Sequence, residues 1–328
     1  MKYNKLSKLN ILILVSISII LISGCIAEKD GEELIIFHAG SLTVPIHRVI
    51  AEFEKIHSDV KIISEAAGSR TCARKISDLK RKCDIFASAD YSVIDNLLIP
   101  RYADWSIKFA TNRMCIAFTE KSNRENEMND GNWFDILLDK NVHFGRSDPN
   151  SDPCGYRTVM VVKLAEKYYR RDGLADELLH KDLKYIRPKE TDLLALLETG
   201  EIDYMFIYRS VAMQHKLKYI DLPDEINLGN FKFENLYRKV SVKITGKKPG
   251  EYIVRRGAPM VYGLTIPKNA PNKKLAIEFL KFMLGGKGLS IIEQNGQKTI
   301  VPSVATGYDK IPDELKKFAI EPNIDAKE

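Results

Sequence analysis

A strand–turn–helix pattern that occurs twice near the start of the sequence constrains the fold most strongly. The apolar run at residues 34–37 predicts a strand that ends in a turn containing Gly40 and Ser41. A helix is predicted next, because apolar residues recur at spacings of three and four: Ile46, Val49, Ile50, Phe53 and Ile56. Such a turn directs unpaired backbone N–H groups outward at the positive end of a helix dipole, which favours an anion.

The pattern returns 28 residues later, with a predicted strand at residues 60–63, the turn Ala66-Ala67-Gly68-Ser69 and a helix at about 71–79. Two such turns at the ends of neighbouring strands would direct two sets of donors at one crevice, where open α/β sheets usually bind ligands. The alternative is that each Gly-Ser pair is ordinary turn chemistry with a serine helix cap.

The N-terminus predicts export. Three lysines within the first eight residues precede an uncharged apolar run at residues 11–22, and Ser23-Gly24-Cys25 follows. This order is typical of a secretory signal covering residues 1–24, and the apolar run is short for a membrane span. The segment before Cys25 also resembles a lipobox, in which that cysteine becomes the lipidated mature N-terminus. A plain signal peptide and an uncleaved anchor are the alternatives, and in each case the rest of the chain leaves the cytoplasm.

Composition narrows the classes of partner and cofactor. The 328 residues suffice for two modest domains, and removal of three lysines with residues 1–24 lowers the formal net charge from +6 to +3. Without a basic tail or a basic patch interleaved with aromatic residues, no nucleic-acid partner is expected. Neither the cysteines nor the six histidines have metal-site spacing, so no cofactor is expected. Export permits disulfides, and the sequence leaves three complete pairings open for four cysteines: Cys72, Cys83, Cys115 and Cys154.

Alternating strand and helix patterns predict an α/β fold with parallel sheets covered on both faces. A third strand ends in a polar loop at Asp90, and the first crossing between domains is expected just before Met114. The predicted domains are 25–112 plus 267–328, and 113–266. Because no long linker separates them, short crossovers would join a hinged pair that closes over a ligand. The tail beyond Pro312 is polar and predicted to be loosely attached.

Three further residues in the second predicted domain carry polar chemistry. Asp152 precedes a helix with Pro153 at its first position, Glu190 opens a leucine-rich helix, and Tyr208 ends a β-rich strand. Each has a structural interpretation as well, namely an N-cap, an acid stabilised by the helix dipole, and a core tyrosine with a satisfied hydroxyl.

Enzyme motifs are absent from the sequence. It contains no G-x-S-x-G elbow, no phosphate-binding loop, no H-E-x-x-H and no dinucleotide glycine fingerprint. Asp152 and Glu190 could form a carboxylate pair like that of glycoside hydrolases, but no aromatic sugar platform surrounds them. A non-enzymatic protein is therefore expected, with an exported acid/base hydrolase as the remote alternative.

Four motifs together resemble the molybdate/tungstate-binding proteins of ABC importers, in the branch whose carboxylates coordinate the oxyanion's metal centre. The resemblance extends over residues 34–301 and rests on Phe37-His38-Ala39-Gly40-Ser41-Leu42, Ala66-Ala67-Gly68-Ser69, Asp152-Pro153-Cys154-Gly155-Tyr156-Arg157 and Ile207-Tyr208-Arg209-Ser210-Val211-Ala212. It implies a two-domain periplasmic-binding-protein fold of type II, with the ligand in the interdomain cleft. The implied partners are an ABC transporter permease and its ATPase, at the outer face of the membrane or in the periplasm.

The resemblance also implies a ligand site drawn from both domains. Hydrogen-bond donors, two metal-coordinating carboxylates and a phenol would come from Gly40, Ser41, Ser69, Asp152, Pro153, Cys154, Glu190 and Tyr208, with Asp152 and Glu190 as the metal ligands. Arg70 departs from the family pattern, and would either add positive charge to the cleft or point to solvent. A protein of the same fold for another oxyanion, sulfate or phosphate, is the alternative.

Overall fold

The computed structural model describes residues 32–246, 248 and 250–322. The predicted signal at residues 1–24 and the predicted lipid attachment at Cys25 therefore lie outside the described residues. Among the helices that the structure does describe, none has the length and apolar character that crossing a membrane requires.

The described part of the chain contains fifteen strands and twelve α-helices. The strands are β1 (Glu32–Ala39), β2 (Val60–Ala67), β3 (Ile85–Ser88), β4 (Ile107–Thr111), β5 (Met114–Phe118), β6 (Phe144–Ser147), β7 (Ile186–Arg187), β8 (Tyr204–Tyr208), β9 (Lys218–Asp221), β10 (Ser241–Thr245), β11 (Tyr252–Arg256), β12 (Val261–Thr265), β13 (Lys298–Thr299), β14 (Ser303–Val304) and β15 (Ala319–Ile320). The α-helices are α1 (Thr43–Glu54), α2 (Ser69–Ser77), α3 (Tyr91–Leu97), α4 (Trp133–Leu138), α5 (Pro153–Tyr168), α6 (Leu174–His180), α7 (Leu193–Thr199), α8 (Arg209–Gln214), α9 (Glu234–Tyr237), α10 (Lys273–Met283), α11 (Gly286–Gln294) and α12 (Asp313–Lys316).

Two mixed sheets organise these elements. The first has the strand order β13-β4-β12-β3-β1-β2 and the second β7-β6-β8-β5-β9. We call the first sheet with its flanking helices the first lobe, and the second sheet with its flanking helices the second lobe. The predicted α/β fold is confirmed, but the prediction of purely parallel sheets is wrong. β1 and β3 pair in parallel, as do β6 and β8, whereas β12 runs antiparallel to β3 and β5 antiparallel to β8. The reason is that β5 and β12 each follow a crossing between the lobes and enter their sheets in the opposite direction.

The first sheet is covered on both faces, as predicted. Ile36 lies opposite Ile85 and Phe37 opposite Phe86 across the β1–β3 pair. Because side chains alternate between faces along a strand, the isoleucines and the phenylalanines point to opposite sides. The isoleucines belong to the main apolar core and the phenylalanines to a second buried cluster. Continuous apolar runs of this kind are typical of strands buried on both faces.

Sheet membership bears on the predicted domain ranges. β4 ends the first lobe's segment at Thr111 and β5 begins the second lobe's at Met114, beside the predicted crossing. The strand β12 lies in the first sheet, although the predicted range 113–266 assigns it to the second domain. We therefore propose that the chain returns to the first domain between Arg256 and Val261, because the pairing of β12 with β3 and β4 determines where it belongs.

The chain beyond Pro312 differs from its prediction. Leu315 is buried, and β15 pairs in parallel with β14, so residues 313–320 are packed on the protein rather than loosely attached. Polar composition there reflects exposed positions between a few buried ones. None of the candidate disulfides is formed: free, buried thiols are found at Cys72, Cys83, Cys115 and Cys154.

The start of α5 depends on a glycine. A methyl group on Gly155 would lie 2.4 Å from the carbonyl oxygen of Ser147 and 2.5 Å from the carbonyl carbon of Asp148. Both atoms belong to the backbone that leaves β6, and they cannot move away as a side chain could. The first turn of α5 therefore packs directly on the chain that follows β6.

We expect Gly155→Ala to lower the free energy of unfolding by about 1–3 kcal/mol, since the added methyl group must displace backbone. Chemical denaturation of the purified protein measures it. Gly286→Ala is the matched control, because the corresponding methyl group meets nothing within 4 Å; it should change stability by less than about 0.5 kcal/mol. Equal stability of the two variants would contradict this account of the α5 start.

Candidate functional site

The two predicted glycine turns of the first lobe face two loops of the second lobe. A methyl group on Gly40 would lie 3.3 Å from each carboxylate oxygen of Glu190 and 2.9 Å from Thr191 Oγ1. One on Gly68 would lie 2.4 Å from the carbonyl oxygen of Ser151. The structure thus brings both turns against the segments that carry the predicted carboxylates.

Local sequence explains why the turns meet there. β1 and β2 are neighbours in the first sheet and end at Ala39 and Ala67, so each turn glycine comes directly after a strand of that sheet. α1 and α2 begin within the next residues, with Pro45 in the first turn of α1, where its missing N–H costs no hydrogen bond. Side chains at Gly40 and Gly68 would hold the lobes apart, so both glycines are required for close approach.

The carboxyl groups of Asp152 and Glu190 are buried side by side. Asp152 is 1% exposed and Glu190 is fully buried, and the backbone N–H of Glu190 donates to Asp152 Oδ2 over 3.2 Å. Asp152 Oδ1 and both carboxylate oxygens of Glu190 make no hydrogen bond of ordinary geometry within the described chain. Asp152 occupies the N-cap position of α5 but makes no side-chain capping bond, so the simple capping interpretation is not supported.

Burial shapes the electrostatics of this pair. It raises the pKa of Glu190 well above its usual range, and the charge of Asp152 raises that pKa further. Burial raises the pKa of Asp152 as well. Two buried carboxylates without cationic partners are stable only when a proton or an electropositive centre is placed between them. The arrangement can therefore accept a hard, positively polarised atom.

The three predicted hydroxyl groups are also buried, and each has a partner inside the protein. Ser41 Oγ accepts from the Tyr262 hydroxyl over 3.1 Å, and Ser69 Oγ accepts from the Ala89 N–H over 3.0 Å. The Tyr208 hydroxyl accepts from Arg157 Nη1 over 2.9 Å. Ser41 and Ser69 belong to the first lobe and Tyr208 to the second, so both lobes carry one or more of the predicted hydroxyl groups in a buried position.

Pro153 and Cys154 take positions that the sequence predicted only in part. Pro153 is the first residue of α5, as expected for its fixed φ. The Cys154 thiol donates to the carbonyl oxygen of Phe206 over 3.8 Å, so it faces the second sheet. Burial raises the pKa of this thiol well above its usual range, which keeps it neutral. The backbone donor role of this turn stays a prediction.

Arg70 neither points to solvent nor enters the cleft as a free charge. It is 2% exposed, its Nε donates to the carbonyl oxygen of Asn150 over 3.0 Å, and its Nη2 donates to that of Thr245. Asn150 belongs to the second lobe, and Thr245 belongs to the β10–β11 hairpin. Arg70 is thus an interlobe contact directly beside Ser69.

The β10–β11 hairpin lies outside both sheets and contacts both lobes. Lys163 of α5 donates to the carbonyl oxygen of Ser241, and Arg74 of α2 donates to Thr245 Oγ1 over 2.8 Å. Arg255 Nη2 donates to Asp90 Oδ2, at the end of β3, over 2.9 Å. The hairpin therefore connects the two lobes.

Sequence reasoning assigned no role to Asp90, Arg157, Arg255 or Tyr262. One signal was available for Asp90, because it follows β3 and the ends of neighbouring strands meet at one edge of a sheet. A second was Arg157, an arginine among the apolar residues of a buried helix. Within the described residues, no group of three or more histidine, cysteine or acidic side chains is arranged to hold a metal ion.

Comparison with known proteins agrees with this architecture. The sequence model of the family described as bacterial extracellular solute-binding protein matches residues 34–298. The molybdate/tungstate-binding protein WtpA of Pyrococcus abyssi is 46% identical, over 91% of this chain and 94% of its own length. The protein of the same name from Thermococcus kodakarensis is 44% identical, over 88% of each chain. Among solved structures, the periplasmic molybdate-binding protein of Azotobacter vinelandii superposes with a TM-score of 0.59 over 80% of this chain and 98% of its own, at 18% identity, and shares the fold. The chain belongs to the family of bacterial extracellular solute-binding proteins.

Proposed function

We propose that this protein captures tungstate or molybdate outside the cytoplasmic membrane and delivers it to the permease and ATPase of an ABC transporter. In this proposal Cys25 carries the lipid anchor and the protein catalyses no reaction. The observation that carries it is the buried pair Asp152 and Glu190, in which Asp152 Oδ1 and both Glu190 oxygens lack a partner and the Glu190 oxygens lie against the Gly40 turn. The names of the two relatives from Pyrococcus and Thermococcus support the choice of ligand.

A carboxylate pair distinguishes among oxyanions. Two like charges about 4 Å apart repel by about 4 kcal/mol at an effective dielectric near 20, so a site that only donates hydrogen bonds to sulfate or phosphate should avoid them. Molybdenum(VI) and tungsten(VI) are larger and can accept two further oxygen ligands beyond their own four. Carboxylate oxygens then become ligands, and the hard metal centre offsets the repulsion.

The same pair acts against competing anions. The sulfur of sulfate and the phosphorus of phosphate offer no comparable expansion, so these anions would meet the negative charges of Asp152 and Glu190 without compensation. Specificity then arises from attraction of the intended ligand together with repulsion of abundant alternatives. The turns at Gly40 and Ser69 would supply donors to the oxyanion's own oxygens.

Isothermal titration calorimetry with four oxyanions tests this function. We expect stoichiometric, tight binding of tungstate or molybdate and no measurable heat with sulfate or phosphate. Tight sulfate or phosphate binding would favour the same fold serving another oxyanion. No binding of any of the four would overturn the proposal and leave the acid/base hydrolase to be tested.

Glu190→Gln tests coordination directly. The amide keeps the shape of the side chain but is a weaker oxygen ligand without charge. We expect tungstate affinity to fall at least tenfold, and discrimination against sulfate to narrow because one repulsive charge is removed. Glu198→Gln, at an exposed position of α7, is the control and should leave affinity unchanged. A four-coordinate tungsten in the X-ray absorption spectrum of the wild-type complex would contradict coordination by Glu190.

Gly68→Ala tests whether contact between the lobes contributes to binding. The added methyl group would lie 2.4 Å from the carbonyl oxygen of Ser151 and 3.0 Å from that of Pro188, both in the second lobe. We expect at least a tenfold loss of tungstate affinity, with the free energy of unfolding changed by less than about 0.5 kcal/mol. Small-angle scattering should give a larger radius of gyration for the tungstate-loaded variant than for the loaded wild type. Wild-type affinity in this variant would show that the contact is dispensable.

A further inference from the structure

The three hydroxyl groups of the candidate site share one hydrogen-bonding arrangement. In each of Ser41, Ser69 and Tyr208 the oxygen accepts a hydrogen bond from the protein. In the part of the chain that the structure describes, none of these hydroxyls donates its own proton to a protein acceptor. A hydroxyl whose oxygen already accepts directs its proton elsewhere, and a buried one needs an acceptor for it. All three are therefore prepared to donate to an anion.

Arg157 connects two of these three hydroxyls. It is 3% exposed, and its Nη1 donates both to the Tyr208 hydroxyl over 2.9 Å and to the carbonyl oxygen of Ala89 over 2.8 Å. Ala89 is the residue whose N–H donates to Ser69 Oγ. One guanidinium of the second lobe thus holds the phenol of its own lobe and the first-lobe residue that orients Ser69.

The chemistry of a guanidinium makes this contact directional. Arginine has five N–H donors and no acceptor, so it cannot receive the phenol proton of Tyr208. Burial raises the pKa of Tyr208 well above its usual range, although the Arg157 charge lowers it, so the phenol keeps its proton at neutral pH. The Tyr208 O–H must then point away from Arg157.

Asp90 holds Arg157 in place from the first lobe. Arg157 Nη2 lies 3.6 Å from Asp90 Oδ2, which also accepts from Tyr156 over 2.6 Å and from Arg255 over 2.9 Å. Burial raises the pKa of Asp90, but the Arg255 and Arg157 charges outweigh burial and hold that pKa well below its usual range. With Asp90 ionised, the two arginines and one aspartate carry a net charge of +1, which favours an anion nearby.

We propose that Arg157 is a positioning residue that orients the hydroxyls of Tyr208 and Ser69 as donors to a deprotonated oxyanion held between the lobes. This proposal rests on the proposed function and adds to it the residue that prepares the donors. The chemical class favoured at these hydroxyls is an anion oxygen without a proton, because a protonated oxygen would present a donor to a donor.

A double-mutant cycle with tungstate as the probe tests this proposal. The variants are Arg157→Met, Tyr208→Phe and their combination, with dissociation constants from titration calorimetry. We expect each single variant to lose about 10- to 100-fold in affinity, the usual effect of a hydrogen bond to a charged group. If Arg157 acts through Tyr208, the fold-loss of tungstate affinity in the double variant should be at least tenfold smaller than the product of the fold-losses in the two single variants. Losses that multiply would overturn the proposal.

Arg255→Met is the matched control. It removes the other arginine that contacts Asp90, but Arg255 does not contact the Tyr208 hydroxyl. The affinity losses of Arg255→Met and Tyr208→Phe should multiply when the two are combined. Coupling between them as large as that between Arg157 and Tyr208 would overturn a specific role for Arg157. Circular dichroism establishes that each variant is folded. If Arg157→Met does not fold, Arg157→Gln, which removes the charge and can accept as well as donate, takes its place under the same criterion.

The outcomes separate this inference from the function on which it rests. A wild-type protein that binds tungstate, with multiplying losses in the cycle, would reject the role of Arg157 and leave the proposed function intact. A wild-type protein that binds neither tungstate nor molybdate would reject both.

Discussion

The rest of the structure depends on one constraint, which is the burial of two acidic side chains at the surface where the lobes meet. Asp152 and Glu190 come from the second lobe, and the Gly40 turn of the first lobe lies directly against Glu190. Burying one uncompensated carboxylate is costly, and burying two together is costlier. Around the pair, Gly40 and Gly68 leave room for the lobes to approach, and the buried Arg70 and Arg157 donate hydrogen bonds from one lobe to the other.

The lobes are joined by donors to carbonyl oxygens as much as by ion pairs. Arg70 donates to the carbonyls of Asn150 and Thr245, and Arg157 donates to the carbonyl of Ala89. Arginine suits this role because its planar donors stay charged when buried. These contacts require the backbones to come close, which is what the absence of a side chain at Gly68 allows. Glycine and arginine thus act together at the same interface.

Local patterns were enough to predict much of this site. The turns at Gly40 and Gly68 follow apolar runs and precede helices, so short-range periodicity located them, and family resemblance added Glu190. The interlobe arginines were not predictable in this way. Arg70 and Thr245 are 175 residues apart in sequence, and Arg255 and Asp90 are 165 apart. The membership of β12 in the first sheet was unpredictable for the same reason, since it depends on pairing with distant strands rather than on its own residues.

These opposing contributions explain how a ligand could control closure. Bringing Gly40 against Glu190 encloses two carboxylates in a low-dielectric interior, which opposes closure, whereas the contacts of Arg70, Arg157 and Arg255 favour it. A ligand can shift such an equilibrium only by its differential affinity for the closed form. In the proposed function, an oxyanion whose metal centre binds both carboxylates would remove the opposing contribution itself, and would so gain affinity specifically in the closed form. Sulfate and phosphate leave that contribution in place, so on this account selectivity and closure have a single physical cause.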